Sequence, residues 1–287
     1  MTDNAGPPSP PPPVVGLLQA PPHWRAVDLI SDLHLHPGDR HTFDALQAYL
    51  TGPLALEADA LIILGDLFEV WVGDDILGVD PAASGLPAGE TPALHFWRDC
   101  ARLLAAHARR RPVWFMAGNR DFLLGPAGLQ ACGMQELQDP TRLELLGRRW
   151  LLSHGDALCL ADTAYMAFRR QVRDAQWQSD FLARPLADRI ALARQLRAQS
   201  QEHQRQIAGH HQDWADVDRL AALDWLRHAG CDTLIHGHTH RPDEHELAPG
   251  LSRIVLSDWD GAAPRPRAEV LRLDAQGWRR LALPAAA

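Results

Sequence analysis

Asp32, His34, Asp66, Asn119, His154, His236 and His238 lie in five short clusters along a chain of 287 residues. The clusters read Ser31-Asp32-Leu33-His34, Gly65-Asp66, Gly118-Asn119-Arg120-Asp121, Ser153-His154-Gly155-Asp156 and His236-Gly237-His238-Thr239-His240. The seven residues offer two carboxylates, four imidazoles and one amide oxygen, without a thiolate. Such a set suits Mn²⁺, Fe²⁺ or Zn²⁺ better than Ca²⁺. Seven donors are too many for one open catalytic ion. They suit two ions sharing a carboxylate, about 3.5–4 Å apart, an arrangement that clamps in-line displacement at phosphorus. Gly65, Gly118, Gly155 and Gly237 let the backbone turn tightly beside the donors.

Each cluster follows an apolar run that reads as a strand: Ala26–Ile30, Ala60–Leu64, Val113–Met116, Arg149–Leu152 and Thr233–Ile235. Three later runs, Ile254–Leu256, Glu269–Leu273 and Arg279–Leu283, read as an antiparallel meander. Helical spacing appears at Thr42–Leu50, Ala93–Arg110, Ala164–Arg173, Pro185–Gln206 and Asp216–Ala229, and Pro81–Pro92 reads as a loop. Strands alternating with helices predict an α/β fold, whose sites form beyond the carboxyl ends of its strands. Five loops can therefore converge on one place.

Composition sets the outer limits. The chain is 46% hydrophobic and 22% charged, near the globular average. No apolar run approaches the ~20 residues of a membrane-spanning helix. A net charge of -8 argues against a broad nucleic-acid footprint, so no nucleic-acid partner is expected. All 28 basic residues are Arg, which excludes lysine Schiff-base chemistry and a lysine-dependent phosphate loop. Cys100, Cys132, Cys159 and Cys231 form no Cys-x-x-Cys pair, which suits a reduced, cytosolic protein. Eight of the 22 prolines fall in the first 22 residues. Residues 1–24 are therefore expected to be a disordered extension ahead of one domain over 25–287. The first basic residue is Arg25, so the start lacks a signal-peptide pattern.

DxH, GD, GNxD, HGD and GHTH, in this order and each after a strand, resemble the calcineurin-like metallophosphoesterase superfamily. The resemblance runs from Arg25 to the end of the chain. It implies a four-layer α/β/β/α sandwich with a helical cap insertion. It implies that Asp32, His34, Asp66 and His238 bind one metal, that Asn119, His154 and His236 complete a second, and that Asp66 bridges. The reaction implied is hydrolysis by a water activated between two metals, in line with the leaving group. Many phosphatases of the superfamily carry GNH where this chain has Gly118-Asn119-Arg120. That His can protonate an alkoxide leaving group. Arg stays protonated and is a poor acid, but its planar fork clamps phosphate oxygens. Arg120 thus favours a leaving group that needs no proton, such as the phosphate of a phosphoanhydride. A plain ion pair with Asp121 is the other reading of Arg120.

SDLHL, GDLFEVWVGDD, GNRDFLLG, HGDALCLAD and IHGHTHRP are similar, more narrowly, to the UDP-2,3-diacylglucosamine diphosphatase family of lipid A biosynthesis. This resemblance implies cleavage of UDP-2,3-diacylglucosamine to UMP and 2,3-diacylglucosamine 1-phosphate, with Mn²⁺ as the metal. It gives Asp66, Asn119, Arg120 and His236 catalytic parts. It places Asn119, Arg120, Asp162, Tyr165, Ser200, Gln204 and His236 against the substrate. Gln204 stands where the family usually has Asn, and the family's Lys beyond it has no counterpart here. A cap over about 162–228 is implied. Its helices would offer an apolar slot for acyl chains, with Arg169, Arg170, Arg173, Arg189, Arg194 and Arg197 facing anionic headgroups. Ordinary amphipathic helices packed on the sheet satisfy the same pattern. Trp71 reads equally as pocket lining or as core. A two-chain lipid resides in a bilayer, so a cytoplasmic protein docking peripherally on the inner membrane is expected, as a monomer. A soluble nucleotide pyrophosphatase and a non-catalytic scaffold of the same fold stay open beside this reading. The scaffold should have lost ligands, and all seven positions are filled.

Overall fold

The computed structural model describes residues 12–80, 86, 91–196 and 216–283. Its centre is a run of apolar strands buried on both faces. Strand β2 (Ala26–Ile30) and strand β3 (Ala60–Leu64) are buried at every residue, the pattern of parallel strands covered on both sides. β3 pairs in parallel with β2 and with β4 (Val113–Met116), and β4 with β5 (Met134–Glu136). β11 (Glu269–Asp274) joins β2 antiparallel, and β12 (Gly277–Ala282) closes that edge. The first sheet is therefore β12-β11-β2-β3-β4-β5.

A second six-stranded sheet runs β1-β6-β7-β8-β10-β9. Its strands are β1 (Gly16–Gln19), β6 (Thr141–Leu145), β7 (Arg148–Ser153), β8 (Thr233–His236), β9 (Asp243–Ala248) and β10 (Leu251–Val255). Leu29, Ile62, Leu64 and Met116 of the first sheet pack against Leu143, Leu152, Ile235 and Ile254 of the second. Helices α1 (Arg40–Thr51), α2 (Thr91–Ala108) and α3 (Pro126–Cys132) cover the outer face of the first sheet. Helix α7 (Arg219–Ala229) covers the second. This is the expected four-layer α/β/β/α order. Between β7 and α7 lie α4 (Thr163–Val172), α5 (Ala175–Leu182) and α6 over 186–196. Asp39, Asp162, Asp174 and Asp218 cap α1, α4, α5 and α7, each accepting the amide three residues on.

Four expectations change. Residues 16–24 belong to the fold: β1 pairs with β6, and Leu18 and Trp24 are buried between the sheets. A four-residue edge strand inside a proline-rich run carries too little pattern to be read. The three late strands are not one meander. β10 pairs with β8 and β9, whereas β11 and β12 belong to the other sheet. Strand β9 reads DEHELA at a sheet edge and shows no clear alternation. The insertion ends before α7, whose Ala222, Leu223 and Leu226 pack on Leu151 and Leu234 of the second sheet. Finally, Thr91 and Pro92 begin α2 rather than end a loop.

The cap arginines also turn inward. Arg169 pairs with buried Asp156 at 2.8 Å. Arg173 donates to the Gly118 carbonyl at 2.8 Å and lies over the Phe122 ring. Arg189 is buried, pairs with Asp75 and donates to the Val72 carbonyl. Phe181, Leu186 and Ile190 join the core cluster of the first sheet. Those helices pack as ordinary amphipathic helices do, while Arg170 and Arg194 stay exposed. Arg197, Ser200 and Gln204 lie outside the described residues.

One ion pair sits inside the core. Arg272 of β11 donates to both oxygens of Asp28 in β2 at 2.7 and 2.9 Å, and Tyr49 adds its hydroxyl at 2.7 Å. Removing one partner leaves a buried charge unpaired. Arg272→Met is expected to lower stability by about 3–5 kcal/mol. Asp28→Asn combined with it should recover part of that loss, as read from urea unfolding midpoints.

Candidate metal centre

The five clusters meet at the carboxyl ends of β2, β3 and β4 from one sheet and β7 and β8 from the other. The chain turns hard there. Asp32, His34, Asp66, His238 and His240 have φ between 47° and 66°. Residues with a Cβ seldom enter this left-handed region, and those that do gather at functional sites. Gly118 passes so close that a Cβ on it would lie 2.2 Å from Asp66 Oδ1 and 2.4 Å from the Asp66 amide nitrogen.

Three imidazoles are preset as ligands. His154 donates from Nδ1 to the Leu64 carbonyl at 2.8 Å, and His236 from Nδ1 to the Gly237 carbonyl at 2.9 Å. A carbonyl only accepts, so each neutral ring leaves Nε2 bare. His236 Nε2 is buried without a partner. His34 Nδ1 lies 3.1 Å from Glu69 Oε2, and its Nε2 is 3.2 Å from His240 Nε2. Metal-ligating histidines are oriented by such backing.

The carboxylates face the same way. Asp32 Oδ2 accepts from the Ser31 hydroxyl at 2.6 Å and the His238 amide at 2.9 Å, whereas its Oδ1 is buried without a hydrogen bond. Asp66 Oδ1 accepts from the Arg120 amide at 2.8 Å and lies 3.7 Å from His154 Nε2. Asn119 Oδ1 is 2.9 Å from both His154 Nε2 and His238 Nδ1. Donor atoms of Asp32, Asp66 and His154 lie within 4.8 Å of one another, as do those of Asp32, His34 and His240. Orphaned Asp32 Oδ1 and His236 Nε2, among hard and borderline donors, fit divalent cations. Asp32 and His154, expected on different ions, share one group, and His240, outside the expected ligand set, lies 3.4 Å from Asp32 Oδ1.

Charge explains the titration behaviour of the group. Burial alone would raise the Asp32 carboxyl, but His240, His154 and His34 together hold it well below the usual range. Burial would lower His154, yet Asp66, Asp156 and Asp32 raise it to about 9. Burial and the Asp66 charge push Asp121 up to about 7. Burial, aided by Arg253, lowers His236 to about 4, with Asp216 opposing. Burial also takes His238 to about 4, aided by His154. The negative field that draws a proton to His154 would draw a divalent cation equally.

Arg120 is not paired with Asp121. Asp121 accepts instead from the amides of Gly118 at 2.8 Å and of Asp66 and Phe68 at 3.3 Å. Arg120 Nε is buried without a partner. Asp162 caps α4, accepting the Tyr165 amide at 2.9 Å. The Tyr165 hydroxyl donates to Asp156 at 2.5 Å, and its ring lies 5.7 Å from that of His238. Trp71 is a core residue, buried on Phe68 with its Nε1 donating to Asp74. Sequence reading missed Arg173 as a brace of the Gly118 loop, and a surface-like arginine pattern held no signal of it.

The model of the calcineurin-like phosphoesterase family matches residues 26–242. The chain belongs to that family. Among curated relatives, the UDP-2,3-diacylglucosamine hydrolase of Stenotrophomonas maltophilia (strain R551-3) is 42% identical over 257 residues, covering 87% of this chain and 95% of the relative. That of Xanthomonas oryzae pv. oryzae (strain PXO99A) is 42% identical over 262 residues, covering 86% and 95%. Among solved structures, an archaeal phosphodiesterase aligns at a TM-score of 0.41 with 12% identity, covering 90% of this chain and 99% of its own. As a calcineurin-like phosphoesterase the chain is a hydrolase, and its Asp and His cluster is suited to divalent metals.

The close Gly118–Asp66 approach gives a direct test. Gly118→Ala is expected to cost about 1–3 kcal/mol, because the added Cβ meets both the Asp66 carboxylate and its backbone nitrogen, and the backbone must shift. The same shift moves Asp66. Thermal unfolding and elemental analysis of bound metal should therefore fall together.

Proposed function

We propose that the protein hydrolyses UDP-2,3-diacylglucosamine to UMP and 2,3-diacylglucosamine 1-phosphate, with Mn²⁺ as its working metal. The relatives named for this substrate, 42% identical over most of the chain, support the reaction. Arg120, unpaired beside the ligand cluster, is the observation that carries it. Water adds to the uridylyl phosphorus, the bond to the bridging oxygen breaks, and the lipid phosphate leaves as an anion without needing a proton. When bound, two divalent ions would acidify the attacking water and neutralise phosphoryl charge. Asp32, His34, Asp66, Asn119, His154, His236 and His238 would hold them, with Asp66 as the bridge.

The chain's own residues do the rest. Arg120 offers a cation to the phosphoryl oxygens from a loop whose backbone Asp121 fixes. The carbonyls behind His154 and His236 keep their Nε2 atoms turned to the site. Asp162 and Tyr165 border it on the side of α4 and would meet the sugar. Ser200 and Gln204 would add contacts to the lipid half. Because that substrate resides in a bilayer, we place the protein in the cytoplasm, docked peripherally on the inner membrane and working as a monomer. No helix among the described residues is long and apolar enough to cross a membrane.

The assay follows UMP release from UDP-2,3-diacylglucosamine in detergent with Mn²⁺. Fast release is expected, abolished by EDTA and by Asp66→Ala, with UDP-glucose left intact. Equal turnover of UDP-glucose would overturn the lipid assignment. Arg120→Ala should lower kcat by about a hundredfold or more, the scale of removing one donor to developing charge. Flotation with anionic liposomes tests docking: the protein should float at low salt and sediment at high salt.

A further inference from the structure

A cavity of about 300 Å³ adjoins the metal centre beside β9 and β10. Asp216, Thr239, Arg241, His245, Arg253 and Val255 line it. Its place follows from strand register. Ile235 and Ile254 face the layer between the sheets, so His236 on β8 and Arg253 and Val255 on β10 face outward. Val255 is the direct cross-strand neighbour of His236. Thr239 lies between His238 and His240 in the chain. Cavity and centre therefore share a wall.

Two observations say what kind of group the cavity takes. Three of its donor groups have no partner among the described residues. Arg253 is buried and held by Asp216 through both terminal nitrogens, at 2.7 and 2.6 Å, yet its Nε has no partner. Thr239 Oγ1 is likewise buried and unpartnered. Arg241 makes no ion pair or hydrogen bond among the described residues. Asp243 and Asp216 line the cavity beside Arg241 and Arg253, so it offers unpartnered donors rather than net positive charge, at the low end of small-molecule pocket volumes. It suits one polar group rich in acceptors and not a pair of acyl chains.

Position supplies the second argument. The described helices of the insertion are braced on loops of the first sheet, by Arg173 on the Gly118 carbonyl after β4 and by Arg189 on Asp75 after β3. The cavity lies over β9 and β10, where Arg280 of β12 reaches the Asp243 and Val255 carbonyls. A pyrophosphate centred on the metal cluster has one arm toward each flank. We propose that this cavity is the nucleoside subsite, with Arg241 on the uridylyl phosphate side and Thr239 and Arg253 donating to ribose and pyrimidine oxygens. This rests on the reaction proposed above. Uracil presents two carbonyl acceptors and ribose two hydroxyls, which match unpaired guanidinium and hydroxyl donors.

Calorimetry on the Mn²⁺-loaded full chain tests it, with UMP and inorganic phosphate as parallel probes. Arg241→Ala removes a side chain with no structural partner, and Thr239→Val removes only a hydroxyl. In each, UMP affinity should fall by about tenfold, the loss of one good hydrogen bond at a charged or buried site, while phosphate affinity stays within about twofold in Thr239→Val and falls with UMP affinity in Arg241→Ala. KM for UDP-2,3-diacylglucosamine should rise with kcat little changed, as for binding shared by ground and transition states. Unchanged UMP affinity in both variants would overturn the subsite, even if the lipid is turned over. A UMP loss in both variants, in a protein that does not turn over the lipid, would keep the subsite and remove the proposed reaction.

Discussion

Asp32, Asp66, Asp121 and Asp156 bring four carboxyl groups out of water at one end of the sandwich, each at most 2% exposed. Isolated, such charges would be prohibitive, so each is answered by its own donors. Asp121 takes three backbone amides. Asp156 takes Tyr165 and Arg169. Asp32 satisfies Oδ2 with Ser31 and the His238 amide and leaves Oδ1 open. The field left over raises His154 despite its burial. A site so built needs cations, and its remaining open atoms are those that ligate them.

This convergence depends on backbone that is costly to hold. Five residues with side chains turn through left-handed conformations where strands of both sheets end. The strands behind them are buried throughout and anchored by a charged pair, Asp28 with Arg272, inside the first sheet. The rigid sandwich over-determines the loops. It also explains why the glycines matter by position: Gly118 is where one loop must pass within contact of the Asp66 carboxylate from another.

The centre was legible because its logic is local and repeated. A buried strand running into Asp, His or Asn is visible five times, and the loops that carry these residues meet at one end of the sandwich. What escaped is what depends on partners far along the chain. His240 comes within reach of Asp32 across 208 residues of sequence (240 − 32), and although it follows His238 by two residues, only the turn of that loop decides which of the two histidines faces Asp32 Oδ1. Strand β1 is only a strand because β6 lies beside it. Strand β10 sits in the second sheet, and the short run before β11 does not reveal the change of layer. Edge strands such as β9 carry little burial and hence little pattern.

Arginine shows why residue type alone misleads here. In a chain with no lysine, one side chain must serve both as brace and as anion receptor. The family resemblance implied that the helical arginines face lipid headgroups, while their spacing alone suits ordinary amphipathic helices. The structure gives Arg169, Arg173 and Arg189 partners in Asp156, the Gly118 carbonyl and Asp75, so they fix the insertion to the loops that carry the ligands. Arg253 is held by Asp216. Among the described residues Arg120 and Arg241 have side chains left without an ion pair, and each lies within three residues of a metal-ligand candidate in the chain. An arginine already held by a carboxylate or carbonyl has little charge left to offer a substrate, whereas an unpaired one beside a metal cluster is a receptor in waiting. In a protein of net charge -8, this division makes an anion site locally positive while the surface as a whole stays acidic.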